Sequence, residues 1–421
     1  MLKLLAKEEF LKKYQAGKKD LFPREEKDAR HIVSDVANKG DRALFGYTNK
    51  FDHVSLDHKS VKVTSREIEQ ALKTIAKNEP GFLKALKTAA KNIKKYHEKQ
   101  REKSYSLSGG GAETGLRVMP IDRVGVYVPG GLAAYPSSVL MNVIPAQVAG
   151  VAEIVLISPP PISNLILAAA GVLGIKEIYR AGGAQGIGAL AFGTESIPRV
   201  DKIVGPGNIY VTMAKKAVFG IVGIDKLAGP SEVLIIADGS ADPSMIAADL
   251  LSQAEHDPHA RSSLVSNSKK IIERVQEEII RQFIGLKRKV IIEKALRANG
   301  AAVLVKNIDE AIELSNQVGP EHLQILTKNP IANAKKIKNA GAIFLGAFSP
   351  VALGDYIAGP NHVLPTEGTA RFSSPLGVWD FVKRQSLINF SQKGLNKVKK
   401  QVALLAALEG LDAHAATLSF R

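Results

Sequence analysis

The chain has 421 residues, 45% of them hydrophobic and 23% charged, enough for two or more structural units with buried cores. No apolar run is long enough to span a bilayer and the start lacks a secretory pattern, so no membrane association and a cytoplasmic location are expected. The absence of cysteine excludes disulfides, thiolate-zinc sites and a covalent thiol mechanism, while a net charge of +16 raises nucleic acid as a partner.

Residues 1–110 hold 25 Lys and Arg against 15 Asp and Glu. The lysines sit at helical spacings, as in Lys84, Lys87, Lys91, Lys94 and Lys95, with little aromatic interleaving. That pattern reads as a solvated helix face rather than a nucleic-acid surface. Ile68, Leu72, Ile75 and Ala76 have helical spacing, as do Leu83, Leu86 and Ala90, so residues 1–115 are expected to be mainly helical. His31, His53, His58 and His97 have no patterned partners and read as surface residues. Ser108-Gly109-Gly110-Gly111 reads as a flexible joint or a hairpin tip.

Residues 116–228 read as a first Rossmann-like unit. Strands are expected at Val124 to Val128, Glu153 to Ser158, Ile175 to Arg180 and Lys202 to Val204. Helices are expected from about Ser137 to Gly150, Asn164 to Leu173, Gln185 to Phe192 and Asn208 to Val218. Pro129-Gly130-Gly131 breaks the first strand. Short apolar strands alternating with helices imply a parallel sheet covered on both faces. The alternation restarts over 229–350, with strands at Val233 to Ala237, Ser262 to Ser266, Ala302 to Val305, Leu323 to Leu326 and Ala342 to Leu345. Helices Pro243 to His256 and Lys269 to Phe283 lie between them. No strong repeat links the two units, and duplication rests on topology. Residues 351–421 read as loops and helices, ending in a helix from Val398 to Leu408.

Four clusters in the C-terminal half could carry chemistry. Gln253 and His256 are three apart on a predicted helix, so both can face one point, resembling the carboxylate-x-x-His spacing of metal-binding helices. A polar helix end with His completing the cap is the structural alternative. His259, beyond Pro258, cannot share that face. Glu321 and His322 at the mouth of a strand suit acid–base work, because His titrates near neutrality and burial tunes Glu upward. Adjacent strand residues point oppositely, so both reach one substrate only if Gly319-Pro320 bends the chain; a loop ion pair is the alternative. Asp355 to His362 is a Gly- and Asn-containing loop with a possible metal ligand, or a solvated turn. Glu409 to His414 lies near the chain end, where a His is usually a frayed surface residue. In the first unit, Gly183 and Gly186-Ile187-Gly188 have the wrong order for a dinucleotide fingerprint. Gly205-Pro206-Gly207-Asn208 opens a helix whose N–H groups could meet a phosphate.

Taken together and in order, these motifs resemble the histidinol dehydrogenase family. They include Gly125-Val126-Tyr127-Val128-Pro129-Gly130-Gly131, Ala181-Gly182-Gly183-Ala184-Gln185, Gly205-Pro206-Gly207-Asn208-Ile209-Tyr210, Ala228-Gly229-Pro230-Ser231-Glu232, Gln253 to Asp257, Gly319 to Gln324 and Gly359-Pro360-Asn361-His362. The resemblance implies one zinc ion held by Gln253, His256, Asp355 and His414, orienting histidinol through its imidazole and amino nitrogens. It implies further substrate contacts at Ser231, His322, His362 and Glu409, NAD contacts at Tyr127, Gln185 and Asn208, and an acid–base pair of Glu321 and His322. It also implies a homodimer in which Glu409 and His414 reach the partner's site. The implied reaction makes two hydride transfers, histidinol to histidinal and histidinal to histidine, with Glu321 activating water. A zinc hydrolase needing no NAD and a basic nucleic-acid-binding protein are the competing readings.

Overall fold

The computed structural model describes residues 2–16, 22–130 and 134–421. Gly131, part of the expected strand break, lies outside the described residues. The chain opens on β1 (Lys3–Leu5), runs through helices between Lys7 and Glu98, then forms a hairpin of β2 (Tyr105–Gly109) and β3 (Ala112–Pro120). Gly110 and Gly111, both at positive φ, make its tip. A first parallel sheet follows, from β4 (Arg123–Tyr127), β5 (Glu153–Ser158), β6 (Glu177–Arg180), β7 (Lys202–Val204) and β8 (Gly223–Ile224), in spatial order β6-β5-β4-β7-β8. The second comprises β9 (Glu232–Ala237), β10 (Arg261–Ser266), β11 (Ala301–Leu304), β12 (His322–Leu326) and β13 (Ala342–Leu345), ordered β11-β10-β9-β12-β13 with β1 added at the β11 edge. Finally β14 (Val382–Phe390) pairs antiparallel with β3.

Numbered within each unit, both parallel sheets run third, second, first, fourth, fifth. This is the doubly wound order, which places a switch point between the first and fourth strands. Each central strand is buried on both faces. In β9, Val233, Ile235 and Ala237 pack with Ile246, Leu250 and Ile272 on one side. Leu234 and Ile236 pack with Phe10 and Leu314 on the other. The covering helices start where side chains satisfy the first free N–H groups: Ser163, Asn208, Asp242, Ser268 and Asn307 all act as N-caps.

The structure adds to the expected plan in three places. The N-terminal region contributes β1 to the second sheet, β3 spans the expected boundary at residue 115, and the C-terminal region contains the nine-residue β14. On helix Pro80–Glu98 the five lysines noted above are exposed while Leu86, Ala89 and Ile93 are buried. One expectation is overturned: His97 is not a surface residue but fully buried. Its Nδ1 lies 2.8 Å from Ile93 O, and its Nε2 lies 3.4 Å from Asn361 Nδ2. The helix turn that buries Ile93 buries His97 four residues on, and the main-chain oxygen gives the ring a partner there.

Candidate active site

Helix Ile308–Val318 ends at Gly319, whose left-handed φ of 64° turns the chain into Pro320 and Glu321 before β12 begins. Glu321 therefore stands in a bend outside the strand's alternation, and its Oε2 lies 3.5 Å from His322 Nδ1. That imidazole Nδ1 also lies 3.0 Å from Glu232 O. A carbonyl only accepts, so Nδ1 carries the proton and Nε2 keeps its lone pair. Nε2 stands 3.9 Å from Asp355 Oδ1. His362 repeats the arrangement, with Nδ1 donating to Asp355 O at 3.0 Å.

Burial sets the electrostatics. Desolvation lowers both His322 and His362 to about 4, helped by the nearby His256 ring and opposed by the bonds to Glu232 O and Asp355 O respectively. Both are neutral imidazoles at neutral pH. Desolvation raises Glu321 well above the ordinary carboxylate range; the Glu232 and Asp355 carboxylates add to the shift, while the bond from Glu232 N opposes it. Asp355 is raised to about 6 by burial.

Gln253 occupies the last turn of helix Pro243–Ala254, and His256 follows with its N–H on Gln253 O, so the three-residue spacing is kept. His256 is exposed, yet the protein around it still lowers its pKa by desolvation. Gln253 is buried and its Nε2 has no hydrogen-bonding partner among the described residues. A side-chain amide offers a metal only its oxygen, so the fit of Gln253 to a cation rests on its spacing from His256 and not on the unpartnered Nε2. No three His, Asp or Glu side chains among the described residues are arranged to hold a metal ion.

The expected NAD residues gather at the other sheet. Tyr127 ends β4, with its ring buried and its hydroxyl accepting Gly183 N–H at 3.3 Å. Gln185 is buried in helix Gly183–Phe192, its Nε2 3.5 Å from Asp52 Oδ2. Asn208 is exposed and caps helix Ile209–Val218, its Oδ1 accepting from Val211 N at 3.1 Å. Gly205 passes against the end of β4. Its carbonyl accepts Lys215 Nζ at 3.0 Å, its N–H donates to Asp225 Oδ2 at 2.9 Å, and Lys215 pairs with Asp225.

A short connection joins the two clusters. β8 ends at the C-terminal edge of the first sheet, and β9 starts at the N-terminal edge of the second. Between them, Ala228 O accepts Thr212 Oγ1, Gly229 N donates to Thr366 Oγ1, and Lys226 Nζ donates to Val363 O and Ser374 O. Ser231 is half-buried directly before β9. The structure thus gathers Ser231, Gln253, His256, Glu321, His322, Asp355 and His362 at one edge. It does not bring Glu409 and His414 there: both are exposed, Glu409 as the C-cap of helix Gln392–Leu408 and His414 on helix Asp412–Thr417; the two helices pack on each other, and the first also on β14. Sequence reasoning gave no role to Glu232, Lys226, Lys215 or Asp225; only the position of Glu232 beside Ser231 hinted at one.

A family model described as histidinol dehydrogenase matches residues 18–421. The chain is 54% identical over 400 residues to the histidinol dehydrogenase of Clostridium acetobutylicum, covering 94% of this chain and 92% of the relative. It is 49% identical over 409 residues to that of Aquifex aeolicus, covering 97% and 95%. The crystal structure of histidinol dehydrogenase from Elizabethkingia anophelis superposes with a TM-score of 0.88 at 40% identity, covering 94% of this chain and 91% of that one.

Proposed function

Because the chain belongs to the histidinol dehydrogenase family, oxidoreductases of histidine biosynthesis, we propose that it oxidises L-histidinol through L-histidinal to L-histidine in two NAD-linked steps. The observation that carries the mechanism is the buried pair Glu321–His322, with His322 fixed as a neutral base through Nδ1.

Gln253, His256 and Asp355, with His414 from a second subunit, would hold a zinc ion. When bound it supplies a template for the substrate's nitrogens and a positive charge. NAD would bind against Tyr127, Gln185 and Asn208 and supply the hydride acceptor. His322 Nε2 takes the hydroxyl proton during the first oxidation. Glu321, tuned upward by burial, takes a proton from the water that adds to the aldehyde carbon, giving the hydrate. His322 returns its proton to the aldehyde oxygen as water adds, which completes the hydrate and frees Nε2 to accept the next proton as the hydrate is oxidised. The chain's lack of cysteine favours this hydrate over a thiohemiacetal. Ser231, His362 and Glu409 complete the substrate contacts.

Replacing Glu321 by Gln removes the water-activating base but leaves the alcohol step its imidazole. Glu321→Gln is expected to keep histidinol-to-histidinal turnover near wild type and to slow histidinal oxidation by ~10²- to 10⁴-fold, in assays started separately from each substrate. Equal loss in both steps would assign the role elsewhere.

The terminal helices expose Leu404, Leu405, Leu408, Leu411 and Phe420. A homodimer covers such apolar surface and delivers Glu409 and His414 to the partner's edge cluster. A cytoplasmic location belongs to the same proposal.

A further inference from the structure

Glu232 grips the acid–base pair from three directions. Its N–H donates to Glu321 Oε2 at 2.9 Å, its carbonyl accepts His322 Nδ1–H at 3.0 Å, and its own Oε1 accepts Glu321 N–H at 3.3 Å. The same Oε1 accepts Glu367 N–H at 3.1 Å, where Glu367 sits at a left-handed φ of 52°. The side chain is fully buried, and Oε2 has no hydrogen-bonding partner among the described residues.

Register explains the pattern. His322 pairs with Val233 in the β12–β9 ladder, so Glu321 and Glu232 are the residues just before the first shared rung. There the main chains no longer bond each other. Each backbone N–H is taken by the other residue's carboxylate instead. A reciprocal pair of this kind locks the carboxylate of Glu321 relative to its own main chain, and it does so against the loop at Glu367. Productive geometry is needed to within a fraction of an ångström, so a residue that never meets substrate can still set the rate.

We infer that Glu232 is a positioning residue for this reaction, holding the Glu321 carboxylate and the His322 tautomer on one rigid turn. The inference rests on reading Glu321 and His322 as the acid–base pair.

Histidinal oxidation measured for Glu232→Ala in the wild-type and Glu321→Gln backgrounds tests it, with histidinol oxidation followed alongside. If Glu232 acts through Glu321, the two losses are not additive. Glu232→Ala is expected to slow histidinal oxidation about tenfold or more in the wild-type background and less than about twofold in the Glu321→Gln background, with the KM for histidinol unchanged. Glu232→Gln keeps an oxygen for both N–H groups and is expected to retain at least about a third of the wild-type rate. An equal factor in both backgrounds would overturn the inference. So would a Glu232→Gln loss as large as that of Glu321→Gln, which stands as a test even if the alanine variant does not fold. If Glu321→Gln alone leaves histidinal oxidation intact, the base assignment fails first and takes the inference with it.

Discussion

At position 319 a single left-handed residue decides whether Glu321 and His322 can meet. In a continuous strand Glu321 and His322 would face opposite sides; the Gly319 turn frees Glu321 to fold back beside the imidazole. The need for such a bend is readable from Gly-Pro before Glu-His, and the i, i+3 pairing of Gln253 with His256 is readable from helix spacing. Glu232 is not readable that way, because its role comes from a partner 89 positions along the chain. His97 was hidden for the same reason: a lone His among lysines gives no sign of the loop that closes over it. Glu232 also makes a pH prediction. Burial raises its folded pKa from 4.5 to about 7, so between those values the folded state holds a proton that the unfolded state releases. Wild-type stability is therefore lost as pH rises through that window, whereas Gln at this position does not titrate. Urea unfolding is expected to show Glu232→Gln gaining on wild type by up to about 3 kcal/mol from pH 4.5 to pH 8. A constant difference across that range would mean that Glu232 ionises freely in the fold.

Between residues and molecule stand the elements that carry them. The loop after β7 is built for close approach: at Gly205, φ is 113° and an added Cβ would lie 2.1 Å from Tyr127 O. Gly205→Ala must therefore move the loop off β4, with Lys215 and Asp225 pulling on it. The variant is expected to raise the KM for NAD by about tenfold or more while histidinol affinity, measured without NAD, stays within about twofold. An unchanged KM for NAD would separate this loop from the cofactor. Most parallel strands were legible because burial on both faces leaves continuous apolar runs, as in the Val-Leu-Ile-Ile stretch of β9. The antiparallel layer of β2, β3 and β14 was not, since β14 is exposed along nearly its whole length and its composition resembles loop. The three residues of β1 are too short to show a period, and only the free edge of β11 makes them a strand.

Across the whole molecule, two sheets of the same strand order present different edges to the connection between them. The first offers its C-terminal edge at the switch point between β4 and β7; the second offers its N-terminal edge, at the starts of β9 and β12. The segment from Asp225 to Ser231 joins those edges; in the proposed reaction a hydride acceptor on one sheet would face an amino alcohol on the other. In the proposed homodimer the apolar terminal helices would bring a second copy to complete the substrate edge. The most direct test is the stoichiometry of zinc-loaded protein turning over histidinol with excess NAD. Two NADH per histidinol consumed, with histidine as product, is the expected result. No NADH, or one NADH with histidinal accumulating, would contradict a single site that performs both oxidations.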